Sequence, residues 1–184
     1  MEKQLFISIV ERYYPWISCL EKAAFQIHDD VNQKYDHVLP YGFHLKMVAS
    51  FVSRYGYLVA ESEADILVLY GSAYLHDTIE DARMTYNDIV KFIDDFRVGS
   101  LVLPEEIKRK LEEQVPEIVY ALTNEKGRNR KERANETYYK GIRDTRFASF
   151  IKMCDRLANI QYTMMFVFAN RMLRSIAESI RNLY

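Results

Sequence analysis

The chain has 184 residues, of which 49% are hydrophobic and 28% are charged, and its formal net charge is −1. This length suits one domain and is short for two. The near-neutral charge gives no support for a nucleic-acid or membrane partner, so an anion-binding surface would have to be local.

The N-terminal sequence and the cysteines predict a cytoplasmic protein. The first residues carry charges throughout and lack the apolar core of a signal peptide. No apolar run reaches the roughly 18–20 residues that span a bilayer. The two cysteines, Cys19 and Cys154, form no CxxC motif, which favours a reducing compartment over a disulfide framework or a zinc ribbon.

The first half of the chain has the apolar spacing of helices. An apolar pattern starts at Leu5 and is interrupted by Pro15, which predicts a helix boundary there. The segment from Lys34 to Gly42 contains Pro40 and is predicted to be a loop. The other helices predicted in this half run from about Trp16 to Gln33, from Phe43 to Tyr55 and from Ala64 to His76, the last being the most apolar.

The second half continues the helical pattern. Thr85 and Asp88 have the form of a capping box, so a helix starts there. Pro104, followed by two glutamates, starts another helix, and Pro116 is expected to kink or restart it. The remaining segments are a polar stretch at Asn124–Asn135, rich in Lys and Arg, and a last helical region from about Thr145 to the C-terminus with a break near Thr163.

The overall pattern predicts the fold class. No segment is a convincing strand, and the six glycines and four prolines are too few for turn-rich β structure. We therefore predict an all-α fold in which residues 1–184 form a single domain, built as a helical bundle. The apolar run Tyr162–Ala169 is expected to lie in the core, with a contact between two copies as the alternative.

The stretch Tyr74–Asp88 carries the densest ionisable chemistry in the chain. It contains the adjacent pair His76-Asp77 and, one helical turn later, the pair Glu80-Asp81. At helical spacing His76 would lie over Glu80 and Asp77 over Asp81, because residues four apart share a face. This arrangement suits a metal ion held beside a general base, so it predicts a metal-dependent hydrolase.

Two further residues are candidate ligands of the same ion. His44 lies in the first turn of a predicted helix, and Asp155 lies among apolar residues of the last one. A buried carboxylate needs a metal or a cationic partner, because an unpaired one is costly. Imidazole and carboxylate groups supplied by several elements are suitable ligands for a divalent ion.

The order of His44, His76-Asp77 and Asp155 resembles the H…HD…D signature of the HD superfamily of metal-dependent phosphohydrolases. The segments LHDTIED, ALTNEKG and KMCDRLANI are similar to the hydrolase domain of stringent-response alarmone hydrolases. The segment Pro40-Tyr41-x-x-His44 is also similar to that family's opening, and the resemblance covers roughly residues 23–163.

The resemblance implies a single-domain HD-type helical bundle that removes the 3′-pyrophosphate from (p)ppGpp. It also implies a bound metal, usually manganese, with iron, zinc and magnesium as alternatives. The roles implied are metal binding for His44, His76, Asp77 and Asp155, handling of the attacking water for Glu80 and Asp81, and substrate binding for Asn159.

The chain departs from the family in the loop before its first motif histidine. Family members usually carry a basic cluster there, whereas Lys34, which we expect to bind substrate, is the only cation of this loop. Other cations must then bind the substrate phosphates, and we expect Arg130, Arg133 and Arg156 to do so, with the polar stretch folded over the pocket. The alternative is that this stretch is a solvated linker.

These residues leave three functions open. The first is hydrolysis of (p)ppGpp, and the second is the same chemistry on a nucleoside monophosphate, a deoxynucleotide or a nucleotide cofactor phosphate. The third is a sensor that binds a nucleotide without turnover, which is disfavoured because the ligands and the acidic pair are all present. In each case the partner is a phosphorylated nucleotide, and the protein is a monomer or a homodimer.

Overall fold

The computed structural model describes residues 1–124 and 128–181, except for the side chains of residues 130, 131, 167, 169–171 and 173–181. The predicted all-α class is confirmed. The helices are α1 (Lys3–Asp30), α2 (Gly42–Tyr55), α3 (Glu63–Leu75), α4 (Thr78–Asp81), α5 (Tyr86–Asp95), α6 (Glu105–Leu122), α7 (Arg130–Arg133), α8 (Glu136–Asp144) and α9 (Ala148–Arg181), with a 3-10 turn at Gly56–Leu58.

Helix α3 forms the centre of the bundle. All its residues from Ala64 to Leu75 are buried, and it packs against α1, α2, α6 and α9. Its start is fixed by a reciprocal capping box between Ser62 and Asp65. Gly71 lets α6 approach closely, because a Cβ at this position would lie 3.0 Å from Val115 Cγ2. The central helix therefore carries its C-terminal end, with the motif residues, into the interior.

Two prolines lie inside continuous helices, so the predicted boundary at Pro15 is wrong. Helix α1 runs through Pro15 as one element, and α6 runs through Pro116 without a restart. Pro15 has no N–H group, so the carbonyl of Glu11 loses its helical hydrogen bond. Both residues are exposed, and water can therefore replace that bond. In α6, buried residues on both sides of Pro116 pack against α3 and hold the helix together.

The segment predicted to be a loop before His44 contains a small hairpin. Strands β1 (Lys34–Tyr35) and β2 (Leu39–Pro40) pair antiparallel, with Tyr35 opposite Leu39. Asp36 and His37 form its turn with φ of 49° and 65°, a left-handed region that Asp and His enter more readily than most residues. The strands have two residues each, too short for an alternating pattern in the sequence.

Helix α9 corrects two expectations. It continues through Thr163, whose hydroxyl donates a hydrogen bond to the carbonyl of Asn159 (2.9 Å). The apolar run expected in the core is largely exposed: Met164, Met165, Phe166 and Phe168 are 52–62% exposed. The contact between two copies stays a prediction. Across the described residues, no helix has both the length and the apolar character needed to cross a membrane.

Candidate metal centre and adjoining pocket

Three helices bring the four predicted ligands together. His44 lies in the first turn of α2, His76 and Asp77 follow the last residue of α3, and Asp155 lies in the second turn of α9. His44 and His76 are each 2% exposed and Asp155 is 6% exposed. Because α2 packs against both α3 and α9, residues more than 100 positions apart share one buried site.

The donor atoms of these residues face one another. His76 Nε2 lies 2.8 Å from Asp77 Oδ2, and His44 Nε2 lies 3.3 Å from His76 Nε2 and 3.4 Å from Asp77 Oδ2. Asp155 Oδ1 lies 3.5 Å from His44 Nε2 and 4.0 Å from His76 Nε2. Ligands about 2.1 Å from one ion lie roughly 3.0–3.4 Å apart when adjacent. The donor atoms of His44, His76 and Asp77 all lie within 4.8 Å of one another, which fits a shared metal, and Asp155 lies at the edge of this group.

The hydrogen bonding of His76 also fits metal binding. Its Nδ1 lies 3.0 Å from the carbonyl oxygen of Ala73, which can only accept a hydrogen bond. The proton of the neutral ring therefore lies on Nδ1, and the lone pair of Nε2 points at the other ligands. A backbone carbonyl holding the second ring nitrogen is the usual support for a metal-binding histidine.

In the metal-free protein, the protonated imidazole of His44 lies 3.4 Å from Asp77 Oδ2 and 3.5 Å from Asp155 Oδ1 and pairs with both carboxylates. Burial opposes a charge on His44, but hydrogen bonds to Asp155 and Asp77 outweigh it and raise the pKa of His44 to about 9. Burial also opposes ionisation of the two aspartates. The neighbouring imidazoles outweigh this, lowering the pKa of Asp155 to about 2 and that of Asp77 well below its ordinary value. A divalent cation would replace the proton held in this cluster.

The acidic pair after the ligands is not stacked as the helical spacing predicted. The chain turns at His76 and Asp77 between α3 and the short α4, so the two motif pairs do not lie on one regular helix. Asp81 is partly buried and lies near Asp77 and His76. Glu80 is exposed, and its two carboxylate oxygens accept hydrogen bonds from the Asn124 side chain, both at 2.8 Å.

Tyr41 joins Asp81 to the candidate ligands. Its hydroxyl lies 2.6 Å from Asp77 Oδ2 and 2.5 Å from Asp81 Oδ2. Burial raises the pKa of Asp81, although the hydrogen bond from Tyr41 acts in the opposite direction. The ring of Tyr41 stacks on His28, which is fully buried and has a pKa lowered to about 4 by that burial. His28 is therefore a neutral packing residue behind the site.

Tyr35 of the hairpin positions Asp155 through Asn159. The Asn159 amide donates hydrogen bonds to Asp155 Oδ1 (2.7 Å) and to the Asp155 carbonyl (3.0 Å), and its own oxygen accepts one from the Tyr35 hydroxyl (2.9 Å). Tyr35 also stacks on the His44 ring, with centroids 4.9 Å apart. The resemblance implied substrate binding for Asn159, whereas the structure places its side chain on the aspartate.

A pocket of about 220 Å³, here called the metal-side pocket, adjoins the candidate ligands. Besides Asp77, Glu80 and Asp81, it is lined by Asn124, Ala134 and three cations, Arg133, Lys152 and Arg156. The sequence predicted both arginines as substrate-binding residues, from segments 23 positions apart. The pocket therefore combines acids near the ligand cluster with cations suited to an anionic substrate.

Lys152 is a member of this pocket that the sequence reasoning did not identify. Its ammonium lies 3.1 Å from Asp155 Oδ2, and its side chain is 18% exposed. Burial opposes its charge, but Asp155 and then Tyr138 outweigh this and raise its pKa. The position of Lys152 one helical turn before Asp155 was the available signal, since residues three apart share a face.

Lys34 and Arg128, a cation of the polar stretch, do not line the pocket. Lys34 is exposed, and its ammonium lies 3.9 Å from Asp29. Arg128 forms an ion pair with Glu132 at 3.2 Å. Lys126 and the side chain of Arg130 lie outside the described residues. The polar stretch thus reaches the pocket through Arg133, Ala134 and Asn124 among its described side chains.

Comparison with known proteins adds no further assignment. No family model, curated protein or solved structure matches the chain. Any function must therefore be inferred from the motifs and from the geometry of the site.

Proposed function

We propose that this protein is a metal-dependent phosphohydrolase that acts on a phosphorylated nucleotide. One observation carries the proposal: four imidazole and carboxylate donors converge beside a pocket that contains two arginines and a lysine. A metal site needs the first feature, and a polyanionic substrate needs the second.

His44, His76, Asp77 and Asp155 would hold the ion. When bound, a divalent cation acts as a Lewis acid on a phosphoryl oxygen and lowers the pKa of the attacking water. Asp81 would take the proton of that water, since it lines the pocket and burial raises its pKa toward the range of an effective base. Arg133, Lys152 and Arg156 would bind phosphate oxygens of the substrate.

Within this class, the motifs favour (p)ppGpp as the substrate and manganese as the metal. The resemblance to alarmone hydrolases extends beyond the HD pair to the segments around Asn124 and Asp155. A guanosine carrying two pyrophosphates is strongly anionic, in keeping with the cations of the metal-side pocket.

The proposal is tested by separating metal binding from turnover. We expect His76→Ala to lose both bound manganese and hydrolysis of (p)ppGpp, because it removes a ligand. Asp81→Asn should keep its manganese while its kcat falls roughly 10²- to 10⁴-fold, the usual effect of removing a general base. Metal content by mass spectrometry and steady-state kinetics measure the two properties.

The same assay distinguishes the alternatives. If the protein hydrolyses a nucleoside monophosphate or deoxynucleotide but not (p)ppGpp, the proposed reaction type is kept and the proposed substrate is replaced. Manganese-loaded protein that binds nucleotides and hydrolyses none of them would instead be a sensor, and the proposal of an enzyme would be rejected.

A further inference from the structure

A second and larger cavity, of about 640 Å³, lies between α6 and α8, and it is called the α6–α8 cavity below. Its size falls within the roughly 300–1,000 Å³ of small-molecule sites. The side chains that matter here are those of Glu117, Tyr120, Thr123, Asn124, Thr137 and Thr145.

This cavity adjoins the metal-side pocket. Asn124 lines both spaces, and its amide is bound to Glu80 of the metal-side pocket. Tyr138 of the α6–α8 cavity faces Lys152 of the metal-side pocket, while its hydroxyl donates a hydrogen bond to the Leu122 carbonyl (3.2 Å). One molecule could therefore extend from one space into the other past Asn124.

The two spaces differ in charge in the way that the phosphates and the nucleoside of a nucleotide differ. The metal-side pocket contains Arg133, Lys152 and Arg156. The α6–α8 cavity offers hydroxyl groups of three threonines and, among its described lining residues, one charged side chain, that of Glu117. A carboxylate accepts hydrogen bonds from sugar hydroxyls and base N–H groups but repels phosphate.

An aromatic side chain in this cavity is available for stacking. Tyr120 is 61% exposed, and its neighbour Tyr86 meets it edge-on, with ring centroids 5.9 Å apart. Tyr86 also donates a hydrogen bond to Glu117 (2.6 Å), so aromatic ring and carboxylate belong to one connected group. Open aromatic faces are the usual platforms for nucleobases.

The hairpin also contacts the metal centre, but none of its residues, all of which the structure describes, lines the metal-side pocket or the α6–α8 cavity. Tyr35 stacks on His44 and is bound to Asn159, and Tyr162 donates a hydrogen bond to Asp36 (2.7 Å). A substrate whose phosphates lie in the metal-side pocket would therefore reach the α6–α8 cavity, which adjoins that pocket at Asn124, without displacing the hairpin.

We infer that the α6–α8 cavity binds the nucleoside part of the substrate, with Tyr120 stacking on the base. This inference rests on the proposed function, because it takes the substrate to be a phosphorylated nucleotide. It assigns phosphate recognition and base recognition to two adjoining spaces that meet at Asn124.

The test compares ligands with and without a nucleoside on the whole chain. Tyr120→Ala should weaken binding of (p)ppGpp and of GMP roughly 5- to 100-fold, the usual effect of losing one stacking contact. Binding of inorganic pyrophosphate should be unchanged, and Tyr120→Phe should restore nucleotide binding. Calorimetry in the presence of EDTA measures affinity without turnover. The matched control is Tyr14→Ala, since Tyr14 is 62% exposed on α1 and lies outside both pockets.

Each outcome bears on the inference separately from the proposed function. Wild-type affinity of Tyr120→Ala for (p)ppGpp and GMP would overturn the inference even if the protein hydrolyses (p)ppGpp. Tyr120-dependent nucleotide binding without any hydrolysis would uphold the inference and reject the enzyme. Wild-type protein that binds pyrophosphate as tightly as the nucleotides would also overturn it, because the nucleoside would then contribute nothing.

Discussion

Tyr41 occupies an unusual position, since one hydroxyl lies between two carboxylates. A hydroxyl has one proton and can donate to only one acceptor at a time. Asp77 is ionised, because the imidazoles hold its pKa well below the ordinary value, whereas burial raises that of Asp81. The hydroxyl lies within hydrogen-bonding distance of both carboxylates, so it can donate to either of them. This arrangement couples the proposed base to a candidate ligand.

Arg133 and Arg156 provide a prediction about substrate affinity. The double variant Arg133→Gln/Arg156→Gln should raise KM for (p)ppGpp much more than it lowers kcat, because contacts to remote phosphates are similar in the ground and transition states. The effect should shrink as salt rises, since both side chains are exposed and their charges are screened. Steady-state kinetics at two ionic strengths measure both effects.

The matched control for that prediction is Arg109→Gln. Arg109 is exposed on α6 and pairs with Glu113 at 3.7 Å, outside the metal-side pocket. Its loss should leave KM unchanged. If the double variant also kept the wild-type KM, phosphate binding by these two arginines would be disproved.

His44 makes metal affinity depend on pH. Its pKa is raised from 6.5 to about 9 in the metal-free protein, so the ion must displace a proton below that value. Affinity for manganese should therefore rise about tenfold per pH unit from neutral pH and level off near pH 9. The charge on His44 stabilises the metal-free fold below pH 6.5, and this contribution is lost as pH rises through about 9. Calorimetric titration with manganese at several pH values would show a flat affinity if His44 were not a ligand.

Among the elements, the hairpin contributes more to the site than its length suggests. Its strands have two residues each, and it is tied to α9 by the bonds Tyr35–Asn159 and Tyr162–Asp36. Only the first of these bonds leads on to a candidate ligand, because Asn159 holds Asp155. The hairpin therefore acts as a support for the ligand set.

Tyr35→Phe tests that support. The variant keeps the ring stacked on His44 and removes the hydroxyl that orients Asn159, so manganese affinity should fall roughly 10-fold, at the low end of the effect of removing a supporting group. Tyr162→Phe is the matched control, since it removes the other bond between the same two elements. Manganese titration of both variants measures the difference, and equal affinities would contradict a specific role for Tyr35.

At the scale of the whole molecule, the metal centre joins distant parts of the chain. Its candidate ligands come from α2, α9 and the end of α3, which are far apart in an unfolded chain. An ion that binds this set binds the folded state in preference to the unfolded one, so it stabilises the whole bundle.

We expect manganese at about 100 times its Kd to stabilise the fold by about 2.7 kcal/mol. For a chain of this length, that corresponds to a rise in Tm of roughly 5–10 °C. Differential scanning calorimetry with and without the ion measures the shift, and His76→Ala should show none. An equal shift in His76→Ala would place the manganese at some other site.

The sequence alone predicted the helical class and the candidate ligands. Helix α3 could be predicted because its apolar run is long and ends directly at His76-Asp77, and its start carries a local capping box. His44 and Asp155 could be predicted because ligand residue types and their order are visible in the sequence. Arg133 and Arg156 were predicted for a simpler reason: the early loop offers one cation, and a phosphorylated substrate needs several.

The tertiary structure decided which side chains meet. Packing on both sides of Pro15 and Pro116 keeps α1 and α6 continuous, although local propensity predicted an interruption. Tyr35 of the hairpin reaches Asn159 of α9 only because the fold brings these elements together. The same holds for Tyr41, at the start of α2, and Asp81 of α4. Hydrogen bonds of this kind join residues 40 to 124 positions apart, and no local spacing in a sequence encodes them.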